Sequence, residues 1–322
     1  MNKPVRWGII GCGSVTEVKS GPPYKNTTGF SLDAVMRRDK AKVEDYAKRH
    51  GVPKAYTDAS DLINDPDIDA IYIATPPDTH KLYGLEVANA DKPCCIEKPL
   101  APNYEDSLAI VEAFKAKNIP LFVAYYRRSL PRFLQVENWL RTKKIGEVRS
   151  ICWNLFKPAN DIDLSGEYNW RTDKKIAPGG YFDDLACHGL DLFAYLLGAI
   201  KTAHGVSTNQ QGLYTGKDAI TASWMHENGV TGLANWNFGS YKREDKVEII
   251  GTKGRIQFSV FSEEDIVLEN ESGIQKLFIE NPKHVQQYHV ENLKADLVDG
   301  KKHSSTGETA LEANWVMSQI LK

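Results

Sequence analysis

Lys98, Asp184 and His188 combine residue types and placing that suit them to proton chemistry. Lys98 follows the apolar run 93–97, which reads as a buried strand, and precedes Pro99. Open α/β sheets bind ligands at the carboxyl ends of their strands. Proline biases the residue before it toward an extended backbone, which would fix the direction of the lysine side chain. An ammonium so placed can lower the pKa of a nearby hydroxyl and stabilise a developing alkoxide. Asp184 and His188 are four residues apart in a segment that reads as a helix over 183–197, so they share one face. Histidine titrates near neutral pH and suits proton transfer. The Gly179-Gly180 pair upstream allows a sharp turn into that helix. The same i, i+4 spacing also suits a metal pair, but the sequence offers no third ligand, and no metal is expected.

A second constellation lies at the N-terminus. The run 5–10 ends in Gly8-Ile9-Ile10-Gly11-Cys12-Gly13-Ser14-Val15-Thr16. Gly11 would permit a tight turn, and Gly13 the close approach of backbone to a pyrophosphate. The third glycine of the dinucleotide fingerprint would fall on Thr16. The following strand, 31–36, ends in Arg37-Arg38 with no carboxylate at its tip. Asp33 lies inside that strand, and Asp39 reads as a helix cap. A carboxylate there would suit the ribose hydroxyl of NAD, whereas two guanidiniums suit a 2′-phosphate. NADP is therefore expected over NAD; the alternative is that both arginines are simply solvated at a helix start.

The elements that must position these residues alternate in the first third of the chain. Strand-like runs at 5–10, 31–36, 70–74, 93–97 and 121–124 are separated by helical patterns at 39–50, 79–90 and 103–117. That order indicates βαβ units and a parallel sheet. Beyond residue 125 the pattern changes to a long strand over 148–156, a hairpin of 219–225 and 230–238 around Glu227-Asn228-Gly229, and four further runs at 246–250, 255–260, 265–269 and 274–280. These read as an antiparallel sheet. Helices are expected near 285–299 and 306–321, the last with a Ser305-x-x-Glu308 capping box. The segment Lys19-Ser20-Gly21-Pro22-Pro23 reads as an irregular lead into the second strand. Two domains follow, 1–125 and 126–322.

Composition narrows the function classes. Lys plus Arg number 40 and Asp plus Glu 42, for a net charge of −2, which gives no general attraction to nucleic acid or an anionic membrane. No apolar run is long enough to span a bilayer. The polar start Met1-Asn2-Lys3-Pro4 argues against a secretory signal. The five cysteines are odd in number, and their spacing fits no zinc pattern. Reduced thiols in a cytoplasmic enzyme are expected.

Three segments join the glycine turn in a characteristic order. They are Ala74-Thr75-Pro76-Pro77-Asp78-Thr79-His80, Glu97-Lys98-Pro99, and Trp170-Arg171 ahead of the stretch from Gly179-Gly180 through Asp184 to His188-Gly189-Leu190-Asp191. In this order, over nearly the whole chain, the sequence resembles the Gfo/Idh/MocA oxidoreductases, the family of glucose–fructose oxidoreductase and inositol dehydrogenase. The resemblance implies an N-terminal Rossmann domain and a C-terminal α+β domain built on a large open antiparallel sheet. It implies hydride transfer between NAD or NADP and a hydroxyl-bearing carbon of a sugar, polyol or related compound. It also implies a homodimer or homotetramer formed through the open sheet.

By that resemblance His188 is the general acid/base with Asp184 in support, and Lys98 serves substrate and cofactor together. Spacing does not decide whether Lys98 or His188 takes the proton. Ser14, Val15, Thr75, Pro76, His80 and Glu97 fall at cofactor positions, and Trp170 and Arg171 match a pair near the substrate. Arg127, in Tyr126-Arg127-Arg128 at the domain crossover, is a further candidate for the substrate pocket or for packing between domains. Trp224 and Trp236 are expected in sheet packing or a subunit interface. Two alternatives carry the same motifs: an enzyme that cleaves glycosidic bonds by transient oxidation with a retained cofactor, and a non-catalytic sensor of NADP(H). The intact set Lys98, Asp184 and His188 argues against the sensor.

Overall fold

A computed structural model describes residues 3–322; Met1 and Asn2, on which part of the N-terminal reading falls, lie outside the described residues. Among the described residues no helix is long and apolar enough to cross a membrane. The chain divides into two units. One runs to Leu130 and takes up Pro282–Leu311; the other comprises Pro131–Asn281 and Glu312–Lys322.

The first unit is built on six parallel strands: β1 (Val5–Ile10), β2 (Phe30–Met36), β3 (Lys54–Tyr56), β4 (Ala70–Ile73), β5 (Cys94–Ile96) and β6 (Leu121–Val123). Their order is β3-β2-β1-β4-β5-β6, so the chain reverses direction across the sheet at β1 and β4. Such a reversal opens a crevice at the strand ends. The apolar runs form strands because both faces are covered; β4 and β5 are buried at every position. The helix Lys40–His50 starts where Asp39 accepts from the Lys42 N–H and stops at Gly51 in the left-handed region. Asn103 caps the helix Tyr104–Ala116 in the same way.

Several features differ from the sequence expectation. Residues 19–23 are not irregular throughout: Gly21–Asn26 is a short helix with prolines in its first turn, where a missing N–H costs nothing. The strand β3 and the helix Ala59–Ile63 are too short to show a period. The expected second domain also loses a segment. The helix Gln287–Asp299 inserts Val290 and Leu293 into the apolar cluster of Trp7, Tyr24, Phe30 and Tyr72, which places Pro282–Leu311 in the first unit. Burial of those side chains, rather than chain order, decides the boundary. The last helix, Gly307–Ile320, is capped by a Thr306–Thr309 pair instead of Ser305–Glu308. Ser305 is used elsewhere, donating from Oγ to the Val123 carbonyl at the edge strand β6.

The second unit holds eight strands: β7 (Val148–Phe156), β8 (Ile200–Thr208), β9 (Ala219–His226), β10 (Thr231–Asn237), β11 (Glu244–Gly251), β12 (Gly254–Phe258), β13 (Ile266–Asn270) and β14 (Gly273–Leu277). The order β14-β13-β12-β11-β7-β10-β9-β8 is antiparallel except at β7, which pairs parallel to β10. The sheet is therefore mixed, because the long connection between β7 and β8 carries the helix Tyr181–Leu197. That helix covers one face: Trp153 meets Phe193 edge-on at 5.5 Å, and Phe182 meets Trp236 at 4.9 Å. Trp224 and Trp236 are both buried, and both pack against rings of this helix. Their part is sheet packing. Alternate side chains on the other face, among them Val206, Met225, Leu233 and Ile250, are exposed.

Candidate functional site

In the first unit the glycine turn sits at the end of β1. Gly11 has φ +92°, and a Cβ there would lie 2.6 Å from Thr75 Cγ2 and 2.9 Å from the Thr75 nitrogen. Only glycine allows the Thr75 loop to close on the turn. A Cβ on Gly13 would meet nothing nearer than 3.8 Å, so the backbone there faces open space that a bulky group can approach. Ser14 is exposed beside it, and Val15 is half-buried. Thr16 does not leave the turn loose. It is fully buried, its hydroxyl donates to the Gly13 carbonyl, and its own carbonyl accepts from Tyr46 Oη. Arg37 Nη1 donates to the Cys12 carbonyl at 3.3 Å, while Arg38 is exposed. Asp39 is occupied with its helix cap and with Lys42. The donor set, an open glycine backbone beside two guanidiniums, fits a dinucleotide.

The Thr75 and Lys98 loops form the neighbouring wall. His80 is fully buried: its Nδ1 lies 3.1 Å from the Pro99 carbonyl and its Nε2 2.9 Å from the Thr75 carbonyl. Burial pushes its pKa below the ordinary histidine value against the opposing pull of these carbonyls, and the ring sits between the two loops. His80, which the resemblance puts near the cofactor, is itself buried between the loops that carry Thr75, half-buried, and Pro76, exposed. Glu97 is likewise turned inward. Its Oε1 accepts from Tyr72 Oη at 2.6 Å and from Gln286 Nε2 at 2.7 Å, and its Oε2 accepts from the Lys98 N–H. These partners fix the backbone at Lys98, whose peptide bond to Pro99 is cis and whose side chain is half-buried. Arg127 lies in the buried turn Tyr126–Ser129, stacked on the Tyr126 ring at 4.9 Å. It belongs to the first unit, ahead of the crossing after Leu130.

In the second unit the helix Tyr181–Leu197 carries Tyr181, Asp184 and His188 at i, i+3 and i+7, one stripe on one face. The helix starts sharply because Gly180, at φ +63°, packs on the Lys217 carbonyl, where any side chain would collide. Asp184 Oδ2 accepts from Arg171 Nε at 2.9 Å, and the Arg171 guanidinium stacks 4.3 Å over the Trp170 ring. His188 is buried, with its ring edge-on to Phe261 at 5.8 Å. Tyr181 Oη donates to Asp163 and accepts from Asn169 Nδ2. No cluster of three or more His, Cys, Asp or Glu that could hold a metal ion is found among the described residues.

Sequence reasoning missed two members of this unit. Lys157, just beyond β7, places its Nζ 5.5 Å over the Tyr181 ring. No motif marks it. Asp183 is fully buried, its Oδ2 accepting from the Gly179 N–H. Burial, with Asp184 alongside, pushes its carboxyl up to about 7 despite that N–H. Between the ordinary carboxyl value and about 7 the folded chain therefore binds more protons than the unfolded chain, and stability falls as pH rises. Asp183→Asn keeps the acceptor and loses the charge. Its melting temperature should exceed that of the native chain by roughly 2–4 °C at pH 8, with the difference closing near pH 4. An equal difference at both pH values would show that Asp183 ionises normally.

Comparison with known proteins agrees with this architecture. Residues 5–125 match the model described as oxidoreductase family, NAD-binding Rossmann fold, and residues 133–257 match that of the GFO/IDH/MocA C-terminal domain. Oxidoreductase P35 of Formosa agariphila is 38% identical over 292 residues, covering 90% of each chain. The 1,5-anhydro-D-fructose reductase of Ensifer adhaerens is 25% identical over 78% of this chain and 74% of its own. The solved structure of a levoglucosan dehydrogenase with NADH and levoglucosan has the same fold, with a TM-score of 0.87 at 21% identity over 99% of this chain and 96% of that one. The two matched domains and the near full-length relative make this chain a member of the Gfo/Idh/MocA oxidoreductases, an enzyme with an NAD(P)-binding Rossmann domain.

Proposed function

We propose that the protein is an NADP-preferring dehydrogenase or reductase of a sugar, polyol or related hydroxy or keto compound. The observation that carries the reading is the stripe of Asp184 and His188, held by Arg171 and by the Gly180 turn, in a chain whose other unit carries an open glycine turn after β1 and Lys98 after β5. The nicotinamide, when bound, supplies the acceptor or donor of hydride. Lys98 lowers the pKa of the reacting hydroxyl and stabilises the alkoxide. His188 takes or returns the hydroxyl proton. Asp184, fixed by Arg171, holds a substrate hydroxyl. Gly11, Gly13, Ser14 and Val15 receive the pyrophosphate, and Thr75 and Pro76 border the cofactor. Trp170 and Arg171 line the substrate end. The alcohol dehydrogenase reading is supported further by a relative named as a reductase of 1,5-anhydro-D-fructose. Turnover of a polyol or keto-sugar panel, followed at the reduced-nicotinamide absorbance band, tests the reading. No turnover with any member removes it.

Two guanidiniums and no free carboxylate at the end of β2 support NADP over NAD. Charge-assisted hydrogen bonds to a phosphate are worth about 1.5–3 kcal/mol each. The Arg37→Ala, Arg38→Ala double variant should therefore weaken NADP binding by about 10- to 100-fold and leave NAD binding within about threefold. Titration of both nucleotides measures this. Tighter binding of NAD than NADP to the native chain defeats the assignment.

A further inference from the structure

The second unit gathers five charged side chains at the start of the helix Tyr181–Leu197: Lys157, Arg171 and Arg243 against Asp163 and Asp184. The two carboxylates are already engaged. Asp184 is paired with Arg171, and Asp163 accepts from Tyr181 Oη through both of its oxygens. Asp183 is buried and holds the Gly179 N–H. Lys157 is left over. Its Nζ lies over the face of Tyr181, and among the described residues it has no hydrogen-bond or ion-pair partner. It is half-buried, yet its ammonium is not sealed from solvent. A cation–π contact at a partly exposed site is weak and supplies no opposing charge.

We infer that Lys157 is a substrate-recognition residue, the counter-ion for a carboxylate, and that the sugar taken by this enzyme is a sugar acid such as a uronate or aldonate. This deepens the proposed function and rests on it. A neutral hydroxyl would give the ammonium a hydrogen bond but no opposing charge, whereas a carboxylate gives both. Burial pushes the Lys157 pKa down, with Arg243 and Arg171 pressing the same way and Asp184 and Asp163 pulling against them. An arriving anion relieves both effects. The stripe also has a suitable length. From Tyr181, under Lys157, to His188 is seven residues, about 10 Å of helix, which matches a short sugar with a hydrogen bond at each end. The acid group would sit at the Lys157 end and the reacting carbinol near His188.

The test compares kcat/KM for matched pairs, D-glucuronate with D-glucose and D-gluconate with D-glucitol, in the native enzyme and in Lys157→Gln and Lys157→Arg. The native enzyme should favour the acid member at least tenfold. Lys157→Gln should reduce that ratio at least tenfold, chiefly through KM, and Lys157→Arg should restore most of it. Equal or better turnover of the neutral members by the native enzyme overturns the inference while leaving the dehydrogenase reading standing. So does an unchanged ratio in Lys157→Gln. Loss of NADP affinity in Lys157→Gln, with the sugar ratio intact, assigns the charge to the cofactor and also overturns it. Absence of turnover with both acids, where neutral members of the polyol and keto-sugar panel are turned over, overturns the inference and leaves the dehydrogenase reading standing.

Discussion

Lys98→Ala is expected to lower kcat/KM by roughly 10³-fold or more while the protein stays folded. The ammonium stabilises charge that exists fully only as the hydroxyl is losing its proton, so the loss falls mainly on kcat. The fold should tolerate the change, because the local backbone is held by other groups: Glu97 by Tyr72 and Gln286, and the Pro99–Leu100 carbonyls by His80. Circular dichroism should be unaltered and the melting temperature within about 2 °C of native. Steady-state kinetics with the best substrate of the polyol panel measures the effect. Full activity in Lys98→Ala would remove the proposed role.

His188→Asn should cost about 10²- to 10⁴-fold in kcat, the range for loss of a positioned acid/base. The informative readout is the pH profile. In the oxidation direction the imidazole must be neutral to accept the proton, so the native rate should rise with pH as that ring loses its proton. That acid limb should vanish in His188→Asn, and the residual rate should instead follow hydroxide. If the limb persists, another group takes the proton, and Lys98 is the first to test. The buried edge contact with Phe261 means that part of any loss in melting temperature reflects packing. The pH profile separates the two, because packing does not titrate.

Much of the first unit was legible in the sequence because its signals are local. β1 is legible because its run from Trp7 to Ile10 is apolar and buried, as a parallel strand covered on both faces requires, with the charged Arg6 confined to its less buried start. The Asp39 cap, the Gly51 stop and the tight turn at Gly11 each follow from one residue's own stereochemistry. The two guanidiniums at 37 and 38 and the i, i+4 pair at 184 and 188 likewise needed only strand ends and helical period. Such features are decided within a few residues, where chain entropy is small and propensity or periodicity dominates.

The tertiary structure decided what depends on distant partners. The side chains that position Lys98 include Gln286, which reaches Glu97 across 189 residues. Val290 and Leu293 move their helix into the first unit because that is where apolar surface is removed from water. The loop-bridging place of His80 depends on the carbonyls of Thr75 and Pro99, which the fold brings to either side of its ring. Lys157 carries no motif, and the motif that contains Asp183 does not single it out. Their character comes from burial and from neighbours brought in by β7 and the Gly179–Gly180 turn. Residue type and spacing set which chemistry the chain can do; desolvation and long-range pairing, which exist only after folding, set which charges are free to do it.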